Sequence, residues 1–130
     1  AAVERSRNYL QSYLQGLLDV EYDDADIFVI TSGTAVCQSR EAVSTARAEG
    51  LNVGLVKLKS IRPFPAEEVR ALAAKARKII VPEFNRIGWL AKEIKSVIDE
   101  PRKVVGAPRV FGGMTMQPEI ILDEIRRAAQ

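Results

Sequence analysis

Val56-Lys57-Leu58-Lys59-Ser60-Ile61-Arg62-Pro63-Phe64-Pro65 joins an extended run to a helix, and its reading decides how the rest of the chain is arranged. Proline at 63 and at 65 fixes two φ angles and pushes Arg62 and Phe64 toward extended conformations. Pro65 also suits the first turn of a helix, where its missing N–H would have been unpaired anyway. A strand therefore ends in a rigid corner that holds one charged and one aromatic side chain in fixed directions.

Upstream, Val53 to Leu58 supplies the strand that enters the corner, and Gly50 stops the helix before it. That helix carries Ala35, Ser39, Ala42, Val43 and Ala46 inward. It follows a turn, Thr31-Ser32-Gly33-Thr34, which ends Ile27-Phe28-Val29-Ile30, a run apolar on both faces like a central strand covered by helices. Downstream, Val69, Leu72, Ala73 and Ala76 recur with helical spacing, with Glu67 and Glu68 in the first turn and Lys75 and Arg77 in the last, matching the helix dipole. Lys78-Ile79-Ile80-Val81 is a third strand, closed by Pro82-Glu83-Phe84-Asn85. Gly88-Trp89 then opens a helix with Leu90, Ile94, Val97 and Ile98 inward, and Pro101 closes it.

Val104-Val105 reads as a weaker strand, and Val110-Phe111 as a short strand or the entry to the Gly112-Gly113 turn. Thr115 is placed to cap a last helix, with Pro118 in its first turn and Ile121, Leu122, Ile125 and Ala128 facing in. At the other end, residues 3–18 read as an amphipathic helix, and the acidic residues 19–24 as a surface connector. The expected organisation is a leader helix and linker over residues 1–19 and one domain over residues 20–130. Strands and helices alternate through short turns, which predicts a largely parallel sheet with helices on both sides.

Composition narrows the chemistry. A chain of 130 residues can bury a core unaided, and 19 Lys and Arg against 17 Asp and Glu leave a net charge of +2, a poor match for nucleic acid or an anionic membrane. Cys37 is the only cysteine and histidine is absent, so there is no disulfide framework and little to build a zinc site or a Ser–His or Cys–His pair. No apolar run approaches the ~20 residues that span a bilayer. A soluble, cytoplasmic protein is expected. The start at Ala1 without methionine is read as a piece of a longer protein.

Ser32, Gly33 and Thr34 lie between a strand's carboxyl end and a helix start, where an anion is favoured; the competing reading is a cap that serves its own helix. Neither a dinucleotide fingerprint nor a P-loop is present. Cys37, early in that helix, reads as a small buried packing residue rather than a nucleophile. Glu83 and Asn85 either orient a partner or cation or bond their own backbone. Trp89 is an interface anchor or a cover for its own core, and Gly112-Gly113 is a close-approach point or a plain turn.

Taken in order, the motifs are Tyr22-Asp23-Asp24-Ala25-Asp26, Thr31-Ser32-Gly33-Thr34, Glu41-Ala42-Val43, Gly50 to Leu58 and Ile61-Arg62-Pro63-Phe64-Pro65. Glu83-Phe84-Asn85 with Gly88, and Gly112-Gly113 with Thr115, complete the series. This order resembles the 2-oxoacid:ferredoxin oxidoreductases, and specifically domain II at the carboxyl end of their α subunit, over roughly residues 20–129. The resemblance implies a transketolase carboxyl-terminal-like fold: a three-layer sandwich around a mainly parallel five-stranded sheet with one antiparallel strand. It also implies an assembly that decarboxylates a 2-oxoacid on thiamine diphosphate and Mg, forms an acyl-CoA and reduces ferredoxin through iron–sulfur clusters.

In such enzymes the thiamine diphosphate lies between two other domains. The resemblance therefore implies a packing and interface role here, with no cofactor bound and no catalytic residue, and no turnover by the chain alone. Arg62, Phe64, Glu83, Asn85, Trp89, Gly112 and Gly113 are the candidate contacts to other domains or subunits. The equivalent domain of a transketolase or of a 2-oxoacid dehydrogenase β subunit shares the fold. A free-standing small-anion binder using Ser32, Gly33 and Thr34 is the alternative of another class.

Overall fold

The computed structural model describes residues 18–32, 35–59, 64–83, 89–105 and 117–130. Five strands form one sheet: β1 (Leu18–Glu21), β2 (Ile27–Ser32), β3 (Val53–Leu58), β4 (Lys78–Ile80) and β5 (Val104–Val105). The described helices are α1 (Val36–Ala48), α2 (Ala66–Lys75), α3 (Trp89–Val97) and α4 (Pro118–Ala129), with a 3₁₀ turn at Pro101–Lys103. Strand order is β1-β3-β2-β4-β5, with β2 parallel to β3 and β4, β4 parallel to β5, and β1 antiparallel to β3. The expected fold class, a mainly parallel sheet with one antiparallel strand between helical layers, is what the chain adopts.

The alternation of side chains divides the core cleanly. Ile27, Val29, Val53, Leu55 and Ile80 face one way, against Ala42, Val43 and Ala46 of α1 and Ile121, Leu122, Ile125 and Ala128 of α4. Phe28, Ile30, Val56, Leu58, Ile79 and Val104 face the other, against Val69, Leu72 and Ala73 of α2 and Leu90, Ala91 and Ile94 of α3. A strand buried on both faces has no room for polar alternation, which is why the central segments are continuous apolar runs. Phe28 and Ile30 are fully buried, and truncating either to alanine is expected to cost about 3–5 kcal/mol.

Residues 19–21, expected in a surface connector, belong to β1 instead, paired Leu18↔Leu58 through Glu21↔Leu55. A boundary between residues 19 and 20 thus falls inside a strand; of the leader helix expected over residues 3–18, Leu18 is the first residue of β1 instead, and the rest lies outside the described residues. The acidic composition hid a period of two: Leu18 and Val20 pack against the α2/α3 core, while Asp19 pairs with Lys59 (3.3 Å) and Glu21 with Arg40 (2.9 Å). Where β1 leaves the sheet the backbone presses on Gly54. A Cβ there would stand 2.7 Å from the carbonyl of Tyr22 and 2.8 Å from that of Glu21. Tyr22 itself takes a φ of 65°, with the Arg47 guanidinium stacked 3.8 Å from its ring centre.

α1 ends in a Schellman arrangement. Gly50, at φ +90°, donates its N–H to the carbonyl of Arg47 (3.0 Å), and Leu51 donates to that of Ala46 (3.0 Å). At its start the N-cap is Ala35, which makes no side-chain capping bond. α4 begins differently from expectation: its N-cap is Gln117, with Pro118 as first helical residue, and Thr115 lies outside the described residues. Val110, Phe111 and the Gly112-Gly113 turn also lie outside them.

Candidate functional site

Because β2, β3, β4 and β5 run parallel, their carboxyl ends share one edge of the sheet. Chain order reverses between β2 and β4: the connection from β2 through α1 leads to β3 on one side, while later connections lead to β4 and β5 on the other. Open α/β sheets bind ligands in the crevice at such a switch point, outside the strands' carboxyl ends. Here the switch point lies between two strand-to-helix connections, β2 to α1 on one face and β4 to α3 on the other. Ser32 and Glu83 belong to these junctions, and the proline corner follows Leu58, the register partner of Ser32.

The β4–α3 junction is closed by the chain itself. Glu83 is 5% exposed, and its carboxylate accepts the backbone N–H of Leu90 at 2.6 Å and of Ala91 at 3.2 Å. A buried carboxylate on the first turn of a helix satisfies amide donors that have no intrahelical acceptor and opposes the positive end of the helix dipole. Glu83 thus bonds backbone amides of its own chain. Trp89, the first residue of α3, is 36% exposed. Phe64 is partly buried, packs against the α2/α3 core and lends its carbonyl to the N–H of Ala66 at 2.8 Å.

The β2–α1 junction is different. β2 continues past Ile30 to Ser32, and Thr31 shares the strand face of Ile27 and Val29, the face covered by α1. Ser39 lies on the sheet-facing stripe of α1 with Val36, Ala42, Val43 and Ala46. Both Thr31 and Ser39 are 0% exposed, yet Thr31 Oγ1 and Ser39 Oγ find no hydrogen-bond partner among the described residues, nor does the buried Oε1 of Gln38. α1 carries no acid in its first turn, whereas α2 has Glu67 and Glu68 and α4 has Glu119.

Of the residues singled out from sequence, Ser32, Glu83 and Trp89 lie at the two junctions and Phe64 at the corner beside them. Gly33, Thr34, Arg62, Asn85, Gly112 and Gly113 lie outside the described residues. Cys37, expected to be a buried packing residue, is exposed, because it falls on the solvent side of the α1 stripe set by Val36 and Ser39. Thr31, expected as the first residue of the turn that could receive an anion, is instead a buried residue of β2, because the strand runs on past Ile30. Its signal is the odd register it shares with Ile27 and Val29, together with an inward Ser39 one turn into the next helix.

The family model described as pyruvate:ferredoxin oxidoreductase core domain II matches residues 25–121. The chain belongs to that family. The 2-oxoglutarate synthase subunit KorA of Methanothermobacter marburgensis is 33% identical over 126 residues, which is 95% of this chain and 33% of the relative. Among solved structures, the 2-oxoglutarate:ferredoxin oxidoreductase from Magnetococcus marinus, with 2-oxoglutarate, coenzyme A and succinyl-CoA bound, superposes with a TM-score of 0.76 at 28% identity. The match takes in 99% of this chain and 23% of that one. A split-gene transketolase, described as an inactive β4 tetramer, superposes with a TM-score of 0.63 at 16% identity over 88% of this chain and 41% of its own, a likeness of fold. This pyruvate:ferredoxin oxidoreductase domain II chain spans about a third of the length of the KorA relative it matches.

The iron–sulfur chemistry implied by the ferredoxin oxidoreductase family does not fit this chain's own residues. Clusters of that kind are held by sets of cysteine thiolates, and the chain has Cys37 alone and no histidine. Among the described residues no three acidic, histidine or cysteine side chains group as metal ligands, and no described helix is long and apolar enough to cross a membrane.

Proposed function

We propose that this chain is a packing and interface domain of the α subunit of a cytoplasmic, thiamine diphosphate-dependent 2-oxoacid:ferredoxin oxidoreductase. The whole enzyme oxidatively decarboxylates a 2-oxoacid to an acyl-CoA with ferredoxin as acceptor. The thiamine diphosphate, Mg and iron–sulfur clusters reside on other parts of the assembly, and ferredoxin and coenzyme A meet this chain only through it. The observation that carries the reading is the family match across residues 25–121, in a chain a third as long as its KorA relative. Glu83 supports it: the buried carboxylate at the switch point is engaged in holding α3 and so in setting the position of Trp89.

Trp89 is the contact most suited to a neighbouring domain. A half-exposed tryptophan at the start of a helix fixed by a buried carboxylate offers a large apolar surface in a preset direction. Tyr22, at 47% exposed, and Ile120, at 39%, are the other large exposed apolar side chains among the described residues. The test is made in the parent enzyme. Trp89→Ala and Phe64→Ala are introduced, and assembly by size-exclusion chromatography is measured alongside 2-oxoacid-dependent reduction of ferredoxin and of NAD. The expected result is weakened assembly with Trp89→Ala, and turnover with ferredoxin but not NAD in the unaltered enzyme. Unchanged assembly in both variants would remove these side chains from the interface, and turnover with NAD alone would overturn the ferredoxin assignment.

A further inference from the structure

We propose that the groove at the amino-terminal edge of β4 and β5 is a docking site for an extended acidic segment of a partner protein, received by Arg77, Lys78, Arg102 and Lys103. This edge lies at the opposite end of the parallel strands from Ser32 and Glu83. Arg77 and Lys78 stand just before Ile79, and Arg102 and Lys103 just before Val104, its register partner, so two pairs of cations reach the sheet at the same level. Like charges brought side by side on neighbouring strands repel. An anionic partner would relieve that repulsion.

The positive charge of the chain is concentrated here. With Glu100, these four residues line an open groove of about 530 Å³ and give it a charge of +3, more than the +2 of the whole chain, so all the other residues together sum to −1. Nearby acids do not neutralise it. Arg77 lies 3.6 Å from Asp26, donates to the carbonyl of Ala128 and stays 46% exposed. Lys103 donates to the carbonyl of Ala73 at 2.8 Å and reaches Glu100 only at 4.0 Å. Lys78 and the exposed Arg102 meet no carboxylate among the described residues. Elsewhere the cations are matched: Arg40, Lys59, Arg126 and Arg127 each pair with an acid.

Shape selects the occupant. The groove runs on past Glu100 and Lys103 into a second depression of about 130 Å³, whose other walls are Arg70, Ala73, Ala74 and Asp99. The lining has no aromatic side chain and encloses no compact ligand. A long, open shelf of separated cations suits successive carboxylates along an extended chain, and focuses the field that draws them in.

The inference does not rest on the oxidoreductase reading, because binding is measured without turnover. The parent enzyme in its native assembly is titrated with a fluorescein-labelled octaglutamate peptide by anisotropy, and with the unlabelled peptide in hydrogen–deuterium exchange. Inorganic triphosphate, a compact anion, is the second exchange arm at matched ionic strength. The expected result is saturable peptide binding that weakens in added salt, with protection over residues 76–80 and 100–105 and none over residues 36–48. Lys78→Gln and Arg102→Gln should each weaken peptide binding about threefold, and together about tenfold. Lys92→Gln, which removes an exposed cation from α3, should leave it unchanged. Absence of saturable binding would overturn the proposal, as would full affinity in the double variant. An equal loss in Lys92→Gln would reduce the effect to net charge and overturn it too. Triphosphate that protects the same residues at lower concentration than the peptide would put a compact phosphate ligand in place of the acidic segment.

Discussion

The two strand-to-helix junctions that flank the switch point solve the same problem in opposite ways. At the β4–α3 junction a buried carboxylate, Glu83, reaches the first turn of the helix and bonds the amides of Leu90 and Ala91. At the β2–α1 junction the buried polar groups are hydroxyls, Thr31 and Ser39, and neither has a partner among the described residues. At the first junction the carboxylate holds the start of α3. The second carries a hydrogen-bonding demand that the described residues do not meet.

The comparison makes a prediction of sign. Glu83→Ala strips the acceptor from buried amides and leaves a hole where the carboxylate lay, so it should destabilise the fold by about 2–4 kcal/mol. Urea denaturation followed by circular dichroism measures this. Glu83→Gln, which keeps one acceptor oxygen, should lose less. If Glu83→Ala unfolds at the wild-type midpoint, the junction is not held by that carboxylate and the contrast fails.

The other end of α1 sharpens the same contrast within a single helix. Its carboxyl end is closed by Gly50 at φ +90° and by the bond from Leu51 to Ala46. A Cβ on Gly50 would meet nothing within 4 Å. The cost of Gly50→Ala is therefore that of the backbone alone, about 1–2 kcal/mol. A larger loss would mean that α1 also relies on Gly50 for packing, contrary to the open space around it.

Thr31→Val is expected to move stability the other way. It keeps the shape of the side chain and removes a buried hydroxyl that has no partner among the described residues, so the fold should hold or gain up to about 1 kcal/mol. A loss similar to that of Glu83→Ala would show that Thr31 is already bonded in the free protein, and the two junctions would then be alike.

What could be read from the sequence, and what could not, follows from which signals are local. Ile27 to Ile30, the α1 stripe and the α2 stripe repeat with a period that burial dictates, and the structure places them as that period requires. β1 was hidden because its pairing with β3 is a long-range choice. Asp19 and Glu21 look like a loop until Lys59 and Arg40 are brought beside them. Glu83 was recognisable as a residue at a ligand-binding edge, but only the return of α3 over it decides that its partners are amides of its own chain. Ser39 was legible as inward-facing. Its lack of a partner among the described residues is a property of two elements at once, strand and helix, and no single window of sequence contains it.

The smallest effect concerns the cap residue of α1. Glu49 meets Arg126 of α4 in a two-pronged pair, 3.0 Å from Nε to Oε1 and 2.5 Å from Nη2 to Oε2. The bond from the guanidinium holds the Glu49 carboxyl below the usual glutamate value, with desolvation acting against it and the opposite charge of Arg126 in the same sense as the bond. A depressed folded-state pKa adds stability that is present above the unfolded pKa and is lost as pH falls through the folded one. The pair is exposed, so its effect is small and screened by salt. Carbon-detected NMR titration of the Glu49 carboxyl should give a midpoint below the usual glutamate value, and Arg126→Ala should move it up. The stability difference between wild type and Arg126→Ala should then shrink on acidification through that midpoint and narrow further in added salt. If the midpoint is the same in both proteins, α1 and α4 are held together by their buried faces alone.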